Sequence, residues 1–229
     1  MDSTIKYLLV GNSRLHWAEK VNDSYQFNHI EKNQFMPKNL DYEKIIWASV
    51  GNHSSLPLVK KMKITTERLN FKNTPSHIGI DRALGCFAAY NLFKNKSKKN
   101  LVIADFGTIL SITKMDHKGN IIGGQLIPGL LTQLKSMTQN AKNLIFPNDV
   151  IFPNSDFPIA TNEAMIRGVY SSLIGTVNLL VNKAKDILII CGGDANAVST
   201  HLSQFKNNMI IEPNLVMRGM ILFNTHKTT

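Results

Sequence analysis

Two short turns in this sequence carry the residue types needed to hold a phosphate group. Gly11-Asn12-Ser13 stops the apolar run Tyr7-Leu8-Leu9-Val10, and Phe106-Gly107-Thr108 stops Leu101-Val102-Ile103-Ala104-Asp105. A tight turn with glycine at its apex exposes several backbone N–H groups on one side and so forms a concave anion site. Ser13 and Thr108 each add a hydroxyl, and Asp105 supplies a carboxylate able to bind a cation beside the phosphate. Facing each other across a cleft, two such turns would hold the phosphate tail of a nucleotide from both sides. Either turn alone is also what an ordinary hairpin requires. A third candidate is Asp81-Arg82 at the head of an Ala- and Leu-rich stretch, where an aspartate serves as a helix N-cap and an arginine is commonly solvated.

Other reactive residue types read as structural. His16, next to Trp17, has no Ser or Cys nucleophile spacing around it and reads as a hydrogen-bonded structural histidine. The His and Cys residues show no zinc spacing. Cys86 and Cys191 read as reduced and buried. The 26 basic residues against 16 acidic ones leave a net charge of +10, suited to phosphorylated small molecules, nucleic acid or an anionic surface. The excess is concentrated in Lys60-Lys61-Met62-Lys63 and Lys94 to Lys99 without interleaved aromatic residues, so solvated faces are expected and nucleic acid is not. No apolar run approaches the roughly 20 residues of a membrane span. The N-terminal residues lack the order of a secretory signal, and a cytoplasmic location is expected.

The elements that must position these groups repeat. Tyr7 to Val10 and Arg14 to Ala18 read as strands flanking the first turn, and Leu101 to Asp105 and Ile109 to Thr113 as strands flanking the second. Asp116 to Asn120 is a turn signal, and Ile121-Ile122-Gly123-Gly124 begins a third antiparallel strand. Ile45 to Val50 reads as a strand, Leu56 to Arg68 as a helix with one early proline, and Asp81 to Phe93 as a longer helix. Thr161 to Lys185 reads as a long amphipathic helix or helix pair, Asp186 to Ile190 as a buried strand, and Gly192-Gly193 as a break before a helix opened by Asp194. Two α/β domains are expected, 1–99 and 100–229, with the Lys-rich bridge at their boundary.

The order of the motifs is more specific than any one of them. Gly11-Asn12-Ser13, Gly79-Ile80-Asp81-Arg82, Asp105-Phe106-Gly107-Thr108, Gly123-Gly124 with Pro128-Gly129, and Gly192-Gly193-Asp194 resemble the motif series of type III pantothenate kinases. These belong to the superfamily of acetate and sugar kinases, actin and heat-shock chaperone ATPases. The resemblance runs from about Leu8 to Phe223. It implies an α/β fold of two ribonuclease H-like domains related by duplication, mixed sheets with flanking helices, and a nucleotide cleft between them.

The same resemblance implies roles. The turn Gly11 to Arg14, with Asn12 and Ser13, resembles the first phosphate loop, and Gly107 with Thr108 the second; Asp105 resembles a monovalent-cation ligand, K⁺ or NH₄⁺. Gly79, Ile80, Asp81 and Arg82 resemble the pantothenate-binding segment, with Asp81 as proton acceptor and Arg82 pairing with the substrate carboxylate or a phosphate. At a helix N-terminus, Asp81 would be kept ionised by the N–H groups and helix dipole. Thr161 resembles a further pantothenate contact, and Phe71 is the nearest candidate for an aromatic residue ahead of the Gly-x-Asp-Arg segment. Gly192 and Gly193 resemble the adenosine-side turn, where small residues would let a nucleotide ring approach.

The activity implied is phosphorylation of pantothenate by ATP with Mg²⁺, the first step of coenzyme A synthesis, in a homodimer for which the apolar helix Met165 to Val181 would supply a contact. One position departs from the family pattern: Leu9 stands where the first motif usually has an aspartate, leaving the metal to the ATP phosphates, Asp105 or water. Two other readings compete, a non-catalytic accessory factor and a kinase for another small alcohol.

Overall fold

A computed structural model describes residues 5–32, 40–50, 56–96 and 98–228. The chain forms two compact units, one of Met1–Lys98, Met115–Ile121 and Asn214–Thr229, the other of Lys99–Lys114 and Ile122–Pro213. The units are not sequence halves, because the C-terminal segment belongs with the first.

The first unit is built on a four-stranded sheet. Its strands are β1 (Lys6–Val10), β2 (Arg14–Val21), β3 (Ser24–Glu31) and β4 (Ile45–Ser49), in the order β3-β2-β1-β4. β1 pairs antiparallel with β2 and parallel with β4, with Leu9 opposite His16 on one side and Ala48 on the other. β1 and β4 are almost continuously apolar and buried, as strands covered on both faces must be. β3 alternates Tyr25, Phe27 and His29 with polar residues and pairs antiparallel with β2 after the Asn22-Asp23 turn. This strand was not anticipated.

The expected helix from Leu56 to Arg68 is not formed. Only a 3₁₀ turn at Lys60–Met62 and one helical turn, α1 (Thr66–Leu69), appear there. The chain between them runs extended along β4: Lys63 bridges Trp47 in parallel, the Ile64 N–H donates to the Trp47 carbonyl at 2.7 Å, and the Trp47 indole N–H donates to the Val59 carbonyl at 2.9 Å. β-sheet pairing thus overrides a helical spacing of apolar residues that begins with a proline.

α2 (Ile80–Phe93) matches the expected helix and packs along the last helix of the chain, α6 (Leu215–Thr228), labelled here after the intervening α3 (Leu130–Asn140), α4 (Thr161–Leu180) and α5 (Ala195–Ser199). The two helices touch backbone to backbone. A Cβ on Gly219 would lie 2.4 Å from the Leu84 carbonyl oxygen, so only glycine permits this approach. Asn224 of α6 donates to the Tyr7 hydroxyl at 3.1 Å, tying the helix to β1.

The second unit repeats the plan. β5 (Asn100–Phe106), β6 (Ile109–Met115), β7 (Ile121–Pro128), β8 (Asp186–Cys191) and β9 (Met209–Ile211) lie in the order β7-β6-β5-β8-β9. Gly107 and Thr108 alone join β5 to β6, a connection that only antiparallel neighbours can make. β5 pairs parallel with β8, as β1 does with β4. The two sheets therefore share an arrangement, a hairpin flanked by a parallel strand, as the duplication implied. α3, α4 and α5 pack their apolar residues with Val102, Leu110, Ile112, Leu188 and Ile190 into one core.

α4 ends at Leu180 rather than continuing to Lys185. Asn182 accepts N–H bonds from Ala184 (3.0 Å) and Lys185 (3.2 Å), and the chain turns into β8. The apolar face of α4 expected to serve a partner subunit is buried at Met165, Ile166, Val169, Tyr170, Leu173 and Val177 in the unit's own core. Among the described residues no helix is long and apolar enough to cross a membrane.

Candidate active site

In the first unit, the Gly11 N–H donates to the Arg14 carbonyl at 2.9 Å and closes the turn between β1 and β2. That N–H is consequently directed inward, and the exposed residues of the turn are Asn12, Ser13 and Arg14. Arg14 pairs with Glu31 at 3.5 Å across β2 and β3. A Cβ on Gly11 would lie 2.9 Å from the Arg14 carbonyl oxygen and 3.2 Å from His16 Nε2, so the imidazole lies directly beside the glycine.

His16 is hydrogen-bonded, as expected, but its partner is a second histidine. Its Nδ1 lies 2.8 Å from His29 Nδ1, and His29 Nε2 lies 3.0 Å from Asn214 Oδ1. An amide oxygen only accepts, so His29 carries its proton on Nε2, and its Nδ1 receives the His16 Nδ1–H. Nε2 of His16 is the ring nitrogen on the Gly11 side. Burial, followed by the nearby His29 and Arg14, pushes the His16 pKa down to about 4, and burial chiefly lowers that of His29. Both rings are neutral at physiological pH.

Asp81 does not cap α2. Gly79 occupies the N-cap, Asp81 lies in the first turn, and its Oδ1 accepts the Arg82 N–H at 2.8 Å. A Cβ on Gly79 would fall 2.6 Å from that oxygen, so the glycine makes room for the carboxylate. Burial raises the Asp81 pKa and outweighs the lowering by the N–H bonds and Arg82. Desolvation is therefore a larger effect than the helix terminus and makes Asp81 a better base. Ile80 is buried, whereas Asp81 and Arg82 are half-buried. Phe71 is 6% exposed, with its ring packed on Phe87 (5.5 Å between centroids) and Tyr90 (5.7 Å).

In the second unit, three motifs far apart in the sequence meet. The Gly129 N–H donates to the Thr108 carbonyl at 2.9 Å, and the Thr132 hydroxyl donates to the same oxygen at 2.7 Å. A Cβ on Gly129 would fall 1.9 Å from the Gly107 carbonyl oxygen. On the other side, the Asp194 N–H donates to the Phe106 carbonyl at 3.2 Å. Gly192, at φ +89°, leaves no room for a side chain: its Cβ would be 2.4 Å from both Asp105 Oδ1 and the Phe106 carbonyl oxygen. Its small size thus serves the contact with β5. Gly193 and Thr108 are exposed, and Asp105 is half-buried at the end of β5. Thr161 is the exposed first residue of α4.

Among the described residues no cluster of three or more His, Cys, Asp or Glu side chains could hold a metal by itself. Leu9, apolar and 6% exposed, supplies no metal ligand at its position. The His16–His29–Asn214 chain and Thr132 were not found from sequence. His29 was accessible through the alternation of Tyr25, Phe27 and His29 behind an Asn-Asp turn; Asn214 carried no local signal.

Two mixed sheets of the same plan, each with a glycine turn after its first strand, define an actin-like ATPase fold. Solved structures agree. A Campylobacter jejuni protein described as a Baf family transcriptional activator superposes with a TM-score of 0.67 at 19% identity, covering 97% of this chain and 98% of that one. The activator of 2-hydroxyisocaproyl-CoA dehydratase from Clostridium difficile, with bound ADPNP, superposes at 0.54 and 13% identity over 99% and 96% of the two chains. The chain belongs to the type III pantothenate kinase family, whose sequence profile matches residues 36–183, more than half of its length. Type III pantothenate kinases from Acinetobacter baumannii (strain ACICU) and Geobacter sulfurreducens are 29% and 28% identical over 152 and 187 residues, or 66% and 78% of this chain. The match spans 59% of the Acinetobacter enzyme and 70% of the Geobacter one.

Proposed function

We propose that this chain transfers the γ-phosphoryl group of ATP to the primary hydroxyl of pantothenate. The observation that carries this reading is the placement of Asp81: a half-buried carboxyl of raised pKa in the first turn of α2, behind a glycine that makes room for it. Phosphoryl transfer through a loose transition state asks a protein chiefly to position groups and neutralise charge. Asp81 accepts a hydrogen bond from the substrate hydroxyl and takes its proton as the bond to phosphorus forms. Arg82 beside it pairs with the substrate carboxylate or a phosphate oxygen. Gly79 and Ile80 complete this segment of the pantothenate site, with Thr161 and Phe71 assigned to it by family likeness.

The exposed turn residues Asn12, Ser13 and Arg14, and Gly107 with Thr108, take the phosphates of ATP, while Gly192 and Gly193 lie on the adenosine side. Asp105 holds K⁺ or NH₄⁺. Magnesium carried by the nucleotide supplies charge neutralisation on the transferring phosphoryl oxygens. The active species is a homodimer, to be checked by light scattering.

Purified protein incubated with ATP, Mg²⁺, K⁺ and pantothenate should release ADP and form 4'-phosphopantothenate. Nucleotide binding without turnover of pantothenate would refute the reading. Leu9 specifically favours one alternative, a non-catalytic accessory role of the kind the Campylobacter protein's description suggests, and that outcome would support it.

A further inference from the structure

Along α4, Arg167, Ser171, Ile174, Gly175 and Asn178 recur at the spacing of one helical face, apart from the residues that enter the core. They line a cavity of about 440 Å³ in the second unit, closed on its other side by Phe152 and by Thr200, His201 and Ser203 after α5. A Cβ on Gly175 would meet nothing within 4 Å, so this glycine leaves the cavity open instead of admitting a neighbour.

Arg167 is held in place there. Its guanidinium lies 4.5 Å from the centroid of the Phe152 ring, and Phe152 stacks on His201 with centroids 3.7 Å apart and planes at 24°. Tyr170 meets Phe152 edge-on at 5.0 Å. Stacking fixes the plane of the guanidinium fork. Nη2 pairs with Asp156, and the remaining donors of the fork have no protein partner among the described residues. The Arg167 side chain is 20% exposed, whereas that of Asp156, on the loop between α3 and α4, is 75% exposed.

The rest of the lining is neutral. Burial, followed by Arg167, lowers the His201 pKa, so the ring is uncharged at physiological pH. The Ser171 and Ser203 hydroxyls and the His201 ring nitrogens make no hydrogen bond to described residues. Among the residues that line the cavity there is no carboxylate, and Arg167 is the single charge. One fixed planar cation beside neutral hydroxyl and amide groups suits a monoanion with a polar body. A carboxylate matches the fork, and Asp156 already presents one to it from an exposed loop, in the kind of pair that a ligand displaces at little cost.

We propose that this cavity binds a small organic carboxylate with a hydroxylated body, its head replacing Asp156 on Arg167 and its body lying over Gly175 between Ser171, Asn178 and Ser203. None of these residues has a part in the kinase reading, and the proposal does not depend on it.

The probe is gluconate, a hydroxylated monocarboxylate, compared by calorimetry with acetate, glucose and inorganic phosphate at matched ionic strength, with NMR of the His201 ring. Gluconate should bind and shift the His201 signals. Acetate, which has the head alone, should bind more weakly, and uncharged glucose should not bind. Arg167→Ala should weaken gluconate by about 10–100-fold, the range of a charge-assisted hydrogen bond. Asp156→Asn should tighten it by about two- to fivefold, because the competing surface pair is gone. Gly175→Leu should block binding while the melting temperature stays at or above wild type, since leucine fills open space and favours the helix. Absence of gluconate binding by wild type, or undiminished binding by folded Arg167→Ala or Gly175→Leu protein, overturns the proposal. Phosphate or glucose binding as tightly as gluconate overturns it as well, because the carboxylate is then not what the site selects.

Discussion

A side chain at Gly129 would place its Cβ 1.9 Å from the carbonyl oxygen of Gly107. No rearrangement of a flexible side chain relieves that overlap, because the neighbour is backbone. The end of β7 is thereby locked onto the turn between β5 and β6, with the Gly129 N–H and Thr132 hydroxyl both on the Thr108 carbonyl.

Gly129→Ala should accordingly destabilise the protein by about 2 kcal/mol or more and weaken ATP binding, because the turn must shift to admit a methyl group. Gly168→Ala is the control, since a Cβ there meets nothing within 4 Å, and in α4 it should be neutral or stabilising. Thermal melts of the two variants check both statements. Equal melting temperatures would refute the lock.

Asp81→Asn should lower kcat by roughly 10²–10⁴-fold while leaving ATP affinity unchanged. Its effect on stability has a definite sign. The folded-state pKa of Asp81 is raised, so its contribution favours folding below its unfolded pKa and is lost as pH rises through the folded value. The asparagine variant should lack this loss and melt at or above wild type at neutral pH. In wild type the acidic limb of kcat/KM should lie above the ordinary aspartate pKa, because the base must be ionised. A pH–rate profile together with melts at several pH values measures both effects.

Asp105→Asn should act differently, because Asp105 belongs to the second unit beside Gly192. Turnover is expected to need K⁺ or NH₄⁺, and the variant should lose that dependence along with about tenfold or more in ATP affinity. Equal wild-type rates in Na⁺ and K⁺ buffers would remove the cation role.

Asp186 tests the second unit without touching the site. Its side chain is fully covered at the start of β8 and accepts from Lys114 Nζ (2.8 Å), Asn100 Nδ2 (3.1 Å) and the Asn182 N–H (2.8 Å). Burial alone would raise its pKa, but these donors prevail and lower it. It therefore contributes stability above its unfolded pKa that is lost as pH falls through the folded value. Asp186→Ala should cost about 3–5 kcal/mol, since Lys114 and two polar groups lose their partner. The deficit should shrink in acid, where wild type loses the same interaction, and melts at neutral and acidic pH read it out.

The core strands were legible because β1, β4, β5 and β8 are covered on both faces and so are nearly continuous apolar runs. The glycine turns were legible because each is a local signal, a glycine with a hydroxyl residue stopping an apolar run. The Asp81 motif was legible, but the upward direction of its pKa was not, because burial depends on what packs around α2 and not on helix position. The segment 56–68 was misread as a helix because periodicity carries no information about a strand waiting to pair, and Trp47 of β4 supplied it. β3, α3, β9 and α6 were not anticipated.

By itself the sequence determined the duplicated α/β plan, the order of the motifs and the residues of both turns, since each follows from patterns within a few residues of one another. Only the tertiary structure decided that Gly129 packs on Gly107 and Gly192 on Asp105 and Phe106, and that His16 meets His29, which meets Asn214. Those partners are 13 and 185 residues apart along their respective contacts, and no local preference records them. Hydrogen bonding and close packing act through space, so the chain from His16 through His29 to Asn214 exists only once β2, β3 and the residue before α6 are assembled.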